Sequence, residues 1–176
     1  MRALLDLFRS RSQETRGSGE TETVRKIVRA LDAMEGERAQ FIAAFAYLLS
    51  RVANADLEIS GEETGKMEEI VQRFGELPEE QAILIVEIAK SQNRLFGGTE
   101  DFQVAQEFKR LSTREQRVEL LHCLFGVSAA DNEISGTEEA QIRQIADELG
   151  FSHREYIDVR SSYNDKRTVM RRFKNE

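Results

Sequence analysis

The chain has 176 residues, a net charge of −7 and a single cysteine. This length suits one compact domain or two fused halves, and one cysteine excludes an internal disulfide, so we expect a cytoplasmic protein. Residues 17–150 carry a net charge of −12, whereas residues 1–16 and 151–176 carry +2 and +3. The acidic body argues against nucleic-acid binding, because phosphates are bound through clustered Lys and Arg.

The first residues, 1–12, form a short amphipathic segment, and residues 13–23 predict a flexible linker rich in Ser, Thr, Gly and Gln. Asp6 and Arg9 interrupt any signal-peptide core. A helix this short is marginal alone in water. We therefore expect either peripheral contact with a membrane or a partner, or a segment folded back on its own domain. The apolar residues at helical spacing are Met1, Leu4, Leu5 and Phe8.

The remaining sequence predicts an all-α protein. It is rich in Glu, Ala, Leu and Arg, contains one proline, and has no alternating strand pattern. We expect a compact bundle of seven to eight helices, with a basic tail at 171–176. The predicted helices, in chain order, are 22–36, 41–52, 60–74, 78–92, 99–108, 112–127, 135–149 and 152–174.

A nine-residue stretch occurs twice, 75 residues apart, and joins two predicted helices each time. The first acidic loop, 55–63, has the sequence ADLEISGEE, and the second acidic loop, 130–138, has ADNEISGTE, so seven of nine positions are identical. The apolar positions around the two copies also match: Val52 aligns with Val127, and Ile59 aligns with Ile134. A repeat of this kind indicates a duplicated unit. The sequence therefore predicts two pseudo-symmetric halves, about 37–92 and 113–165.

Helix capping explains part of the repeat. Ser60 precedes Glu63 by three residues, and Ser135 precedes Glu138 by the same spacing. This is the spacing of a capping box, in which the serine accepts from the third amide and the glutamate reaches back. Two other segments have the same spacing, 112–115 and 152–155. On this interpretation the repeated residues start helices and have no ligand.

A cation site is the alternative interpretation. Carboxylates are hard ligands that suit calcium, magnesium or manganese. An EF-hand is excluded, because its last ligand must be a glutamate and here that position holds Met67 or Ile142. A helix N-terminus repels cations, so we expect modest affinity. The candidate metal ligands are Asp56, Glu58 and Glu63 in the first loop and Asp131, Glu133 and Glu138 in the second, with Glu62 and Glu139 beside them.

The pattern Ala-Asp-x-Glu-Ile-Ser-x-x-Glu, present twice after an apolar helix, resembles the TerB-like family of tellurite-resistance proteins. The resemblance covers 24–165, and we place the domain at 24–170; the segment 117–157 is similar to the uncharacterised TerB-like branch. It implies an all-helical, internally pseudo-symmetric domain with an acidic face proposed to hold metal ions, and a role in tellurite resistance, stress responses and membrane-linked complexes. The family's paired acids correspond to Asp56 with Glu63 and Asp131 with Glu138.

The chain departs from the family pattern after each aspartate. The family usually has glycine there, whereas this chain has Leu57 and Asn132. Asparagine tolerates a left-handed backbone, but leucine does so poorly. We therefore expect the second loop to keep the family geometry better than the first.

The sequence does not predict an enzyme. His122 and Cys123 are adjacent, but neighbours on a helix point about 100° apart and cannot form a nucleophile–base pair. Cys123 is expected to be a small core residue, and neither a phosphate-binding glycine loop nor zinc-ligand spacing occurs. Two hypotheses remain: a cation-responsive binding module with a protein partner, and a structural interaction domain that recruits a basic partner while its loops only cap helices.

Overall fold

The computed structural model describes residues 20–53, 61–91, 101–130 and 132–168. The described residues contain eight α-helices, which confirms the all-α prediction. None of these helices is long and apolar enough to cross a membrane. The helices are α1 (Glu20–Asp32), α2 (Gly36–Ala53), α3 (Gly61–Gly75), α4 (Glu79–Ser91), α5 (Asp101–Leu111), α6 (Arg114–Ser128), α7 (Gly136–Glu148) and α8 (His153–Ser161).

Several predicted segments lie wholly or partly outside the described residues. These are the amphipathic segment 1–12, most of the linker 13–23, the start of the predicted helix 99–108, and the basic tail 171–176. Helix α1 begins at Glu20, inside the stretch whose composition indicated a linker.

Helix α2 lies at the centre of the bundle. Twelve of its 18 residues are buried, because it is apolar on nearly all sides, as expected of a helix surrounded by others. It packs against α4, α5, α6 and α7. Its contact with α5 is aromatic: the rings of Phe41 and Phe108 stack with centroids 5.1 Å apart. The inserted helix α5 thereby covers a side of α2 between the two halves.

The 75-residue repeat relates three pairs of helices: α2 to α6, α3 to α7 and α4 to α8. Each half contacts the other through equivalent pairs, α3 with α6 and α2 with α7. The α3–α6 pair is the more extensively packed of the two. Buried residues of both halves therefore belong to one shared core.

The last helix is shorter than predicted. The prediction of a helix to residue 174 was wrong, because α8 ends at Ser161 and a turn follows. Ser, Asn and Asp in residues 161–165 favour turns over helix, and the residues beyond contact other elements. Tyr163 stacks on Phe125 with ring centroids 5.2 Å apart, and Arg167 pairs through its backbone with Ile134. We call residues 162–168 the C-terminal strap.

The capping boxes predicted within the described residues occur there, with one change of register, whereas the predicted box of Ser60 and Glu63 lies outside them. Ser135 with Glu138 and Ser152 with Glu155 form complete boxes. At α6 the box is formed by Thr113 and Gln116, one residue later than the predicted pair 112–115. The Ser112 hydroxyl instead donates to the Phe108 carbonyl at 2.6 Å, just after the end of the preceding helix.

Candidate functional site at the second acidic loop

The structure describes the second acidic loop more completely than the first. Of the six predicted metal ligands, Asp56, Glu58 and Asp131 lie outside the described residues. Glu63 belongs to α3, but its side chain is outside the described part. The site is therefore built from Glu133 and Glu138 with the residues that surround them.

Glu138 closes the capping box at the start of α7. Its Oε2 atom accepts from the Ser135 backbone amide at 2.8 Å, and the Ser135 hydroxyl oxygen accepts from the Glu138 amide at 3.2 Å. Two amides that the helix leaves unpaired are thereby satisfied. The structure confirms that the repeated serine and glutamate of this copy start a helix.

Asn132 makes the turn that brings the chain from α6 to α7. Its φ angle is +72°, in the left-handed region, and its amide donates to the Ala129 carbonyl at 2.9 Å. Asparagine adopts this backbone more readily than most residues with a side chain. Its side-chain oxygen accepts from the Lys166 ammonium at 2.9 Å, so the turn is also joined to the strap.

Glu139, the residue after the loop, is held by two arginines. Arg167 donates to it twice, from Nε at 2.8 Å and from Nη2 at 2.6 Å, and Arg160 donates at 3.1 Å. Burial raises the pKa of Glu139, but the two guanidiniums outweigh burial and lower it overall. This paired carboxylate stays ionised where it is partly removed from water.

Glu133 is exposed and contacts the end of the strap. The Thr168 hydroxyl lies 2.9 Å from Glu133 Oε1 and 2.8 Å from the Ile134 carbonyl oxygen, so its one proton can go to either. Across the described ranges, no group of three or more His, Cys, Asp or Glu side chains is arranged to hold a metal ion. Asp131, which would complete the predicted set in this loop, is outside those ranges.

Cys123 and His122 face different surroundings. The Cys123 thiol is buried, which raises its pKa, and it lies 3.9 Å from the Ile70 carbonyl. His122 Nδ1 is instead 3.2 Å from the Tyr163 hydroxyl. Cys123 is therefore the core residue that the sequence predicted, and the two side chains do not form a pair.

Two arginines important to the structure were missed in the sequence. Arg51, whose side chain is only 6% exposed, donates to Glu148 at 2.7 Å and approaches Asp101 at 3.4 Å. In the sequence, Arg51 is the lone charged residue within the apolar stripe 41–52, and this position could have indicated a buried ion pair. Arg167 gave no local signal, because its partner Glu139 lies 28 residues away.

The fold and the loop define a class of protein before any comparison: a duplicated all-α domain in which a capped acidic loop joins helices. The family model for tellurite resistance protein TerB matches residues 41–161. The chain belongs to this family, as the resemblance in the repeated loops indicated. No curated protein and no solved structure gives a significant match.

Proposed function

We propose that the chain is a non-enzymatic binding module of a tellurite-resistance or stress-response system. Its acidic surface recruits a basic protein partner, while acids of the repeated loops cap helices. The observation that supports this proposal most directly is the second loop: Glu138 closes a capping box, and Glu139 is bound by Arg160 and Arg167. Both carboxylates have partners within the chain, so a cation would have to displace or share them.

A divalent cation (calcium, magnesium or manganese) bound by the acidic loops is the second candidate. Repetition supports it. A capping box requires only the serine and the glutamate three residues later, yet both copies also repeat an aspartate and a further glutamate, at Asp56 and Glu58 and at Asp131 and Glu133.

Thermal unfolding in a titration with each ion separates the two candidates. Asp131→Asn/Glu138→Gln removes two charges, but glutamine at this position still closes a capping box. Ser135→Ala removes the cap and keeps every carboxylate. Ser152→Ala is the matched control, because it breaks the same box at α8, away from the loop.

If the acids are caps, the midpoint of the parent stays flat up to millimolar ions. Ser135→Ala then costs about 1 kcal/mol of stability, and Asp131→Asn/Glu138→Gln costs less. If the loops bind a cation, an ion at a hundred times its dissociation constant stabilises the parent by about 2.7 kcal/mol. The Ser135→Ala variant would respond in the same way, and the Asp131→Asn/Glu138→Gln variant would not. That result would overturn the capping proposal.

A further inference from the structure

The C-terminal strap pairs with the backbone of the second acidic loop at one residue, Arg167. The Ile134 amide donates to the Lys166 carbonyl at 2.8 Å, and the Thr168 amide donates to the Ile134 carbonyl at 3.1 Å. These two bonds form a parallel bridge between Ile134 and Arg167. The strap thus satisfies both backbone groups of a loop residue whose side chain is buried.

Arg167, the bridged residue of the strap, and its two neighbours contact different parts of the loop. Arg167 is 7% exposed and points inward to Glu139. Its neighbours Lys166 and Thr168 reach the outer rim of the loop, where Lys166 donates to Asn132 and Thr168 approaches Glu133. Backbone hydrogen bonds supply affinity and side-chain contacts supply specificity when a protein recognises a peptide segment in this way.

Glu139 has one arginine partner on α8 and a second one in the strap. Arg160 on α8 also binds Glu139, at 3.1 Å, so this carboxylate keeps one partner when the strap leaves. Arg167 belongs to the strap itself, and the strap's backbone pairing with the loop is a single bridge. A segment of similar chemistry from another molecule could therefore replace it without leaving Glu139 unpaired.

We propose that the second acidic loop is a docking site for a short basic segment of a partner protein, and that residues 166–168 occupy this site in cis. The segment it takes has a basic residue, an inward arginine and a hydroxyl residue in succession. This inference rests on the proposed function and names the class of partner. The strap is then an autoinhibitory contact, which a partner must displace.

The test uses a fluorescent synthetic peptide of residues 162–169 and the full chain, at physiological salt and with a chelator present. A tethered segment competes at an effective concentration in the millimolar range. Weakening the strap should therefore lower the apparent dissociation constant of the peptide. We expect Lys166→Ala/Arg167→Ala in the protein to bind the peptide at least tenfold more tightly than the parent. A peptide carrying the same two alanines is the matched control and should bind neither protein.

Hydrogen exchange of the Ile134 amide distinguishes docking from general attraction to an acidic surface. We expect this amide to be protected in the parent, to exchange faster in Lys166→Ala/Arg167→Ala, and to regain protection with peptide. If that variant does not fold, Lys166→Ala/Thr168→Ala keeps Arg167 and should show the same changes to a smaller degree.

Equal peptide affinity in the parent and the folded variant, or an Ile134 amide that the peptide does not protect, would overturn the docking site. Because a chelator is present, that result leaves the choice between caps and a cation to the ion titration.

Discussion

The two halves of the domain use the same two helix positions in opposite ways. Positions 47 and 51 of α2 correspond by the 75-residue repeat to positions 122 and 126 of α6. In the first half they are Tyr47 and Arg51, and in the second half they are His122 and Gly126. Arg51, His122 and Gly126 contact the other half, whereas Tyr47 contacts the inserted helix α5. The comparison shows how a duplicated backbone can be held by different interactions.

In the first half this contact is polar. The Tyr47 hydroxyl donates to Asp101 at 2.7 Å, and Arg51 binds Glu148 through both terminal nitrogens, at 2.7 and 3.2 Å. The buried guanidinium fills the space between α2 and the C-terminal end of α7, and connects both to the start of α5.

In the second half the contact is close packing. A Cβ atom on Gly126 would lie 3.0 Å from Ile70 Cγ2 and 3.4 Å from Phe74 Cε2. The absence of a side chain lets α3 approach α6 closely. His122 stacks on Phe74 with ring centroids 5.9 Å apart, and it meets the strap through Tyr163. The same backbone symmetry therefore accommodates an ion pair in one half and close helix packing in the other.

The largest expected effect is the loss of the buried arginine. Arg51→Met removes the cation from Glu148 and Asp101, and a buried carboxylate left without its partner destabilises a protein by about 3–5 kcal/mol. We expect a loss of about 3 kcal/mol in urea unfolding, at the low end because Asp101 is partly exposed. Arg51→Met/Glu148→Met should recover part of the loss. If the double variant were less stable than the single one, the ion pair would not explain the effect.

An intermediate effect on stability is expected at Gly126. Gly126→Leu forces α3 and α6 apart, and overpacking of this kind costs about 1–3 kcal/mol. Ile70→Ala in the same chain should relieve part of the cost. The matched control is Gly65→Leu in α3, where a Cβ atom meets nothing within 4 Å and removal of a helical glycine should stabilise by about 0.5–1 kcal/mol. Equal effects at the two glycines would contradict close packing at α6.

The smallest expected effect is a pH dependence of stability that comes from His122 in the second half. Burial lowers the pKa of His122, so the folded chain binds a proton less readily than the unfolded chain. The stability that comes from this difference is complete above about pH 6.5, the ordinary value for histidine, and is lost as pH falls towards the lower pKa of the folded state. The free energy of unfolding should therefore drop more between pH 7.5 and 5.5 in the parent than in His122→Gln. A larger drop in the variant would reverse the sign of this argument.

The sequence was most informative where the interactions are local. The spacing of Ser135 with Glu138 and of Ser152 with Glu155 predicted two helix starts, because both partners of a capping box lie within four residues. Gly75 and Gly150 stand at equivalent positions of the repeat, but only Gly150 is left-handed, with φ +78°. In the first half the left-handed residue is Glu76, at φ +47°, and α3 continues two residues beyond the position equivalent to the end of α7.

The candidate site was less predictable than the fold. Of the three acids predicted as ligands in the second loop, two lie within the described residues, and one of these, Glu138, has a role that local spacing could assign. Glu139 was noted only as a neighbouring charge, since its ligand Arg167 follows a turn that was predicted to be helix. The end of α8 at Ser161 decides where the strap lies, and therefore which side chains meet the loop.

Taken alone, the sequence determined the helical class, the duplication, the family and the capping residues. Helical periodicity and capping depend on residues close together in the chain, and a repeat is found by comparing two stretches of the same sequence. Only the tertiary structure decided that Arg51 balances two carboxylates, that Gly126 lets two helices touch, and that residues 166–168 cover the second acidic loop. These contacts join residues far apart in the chain, and their energies depend on burial and distance, which exist only once the helices have packed.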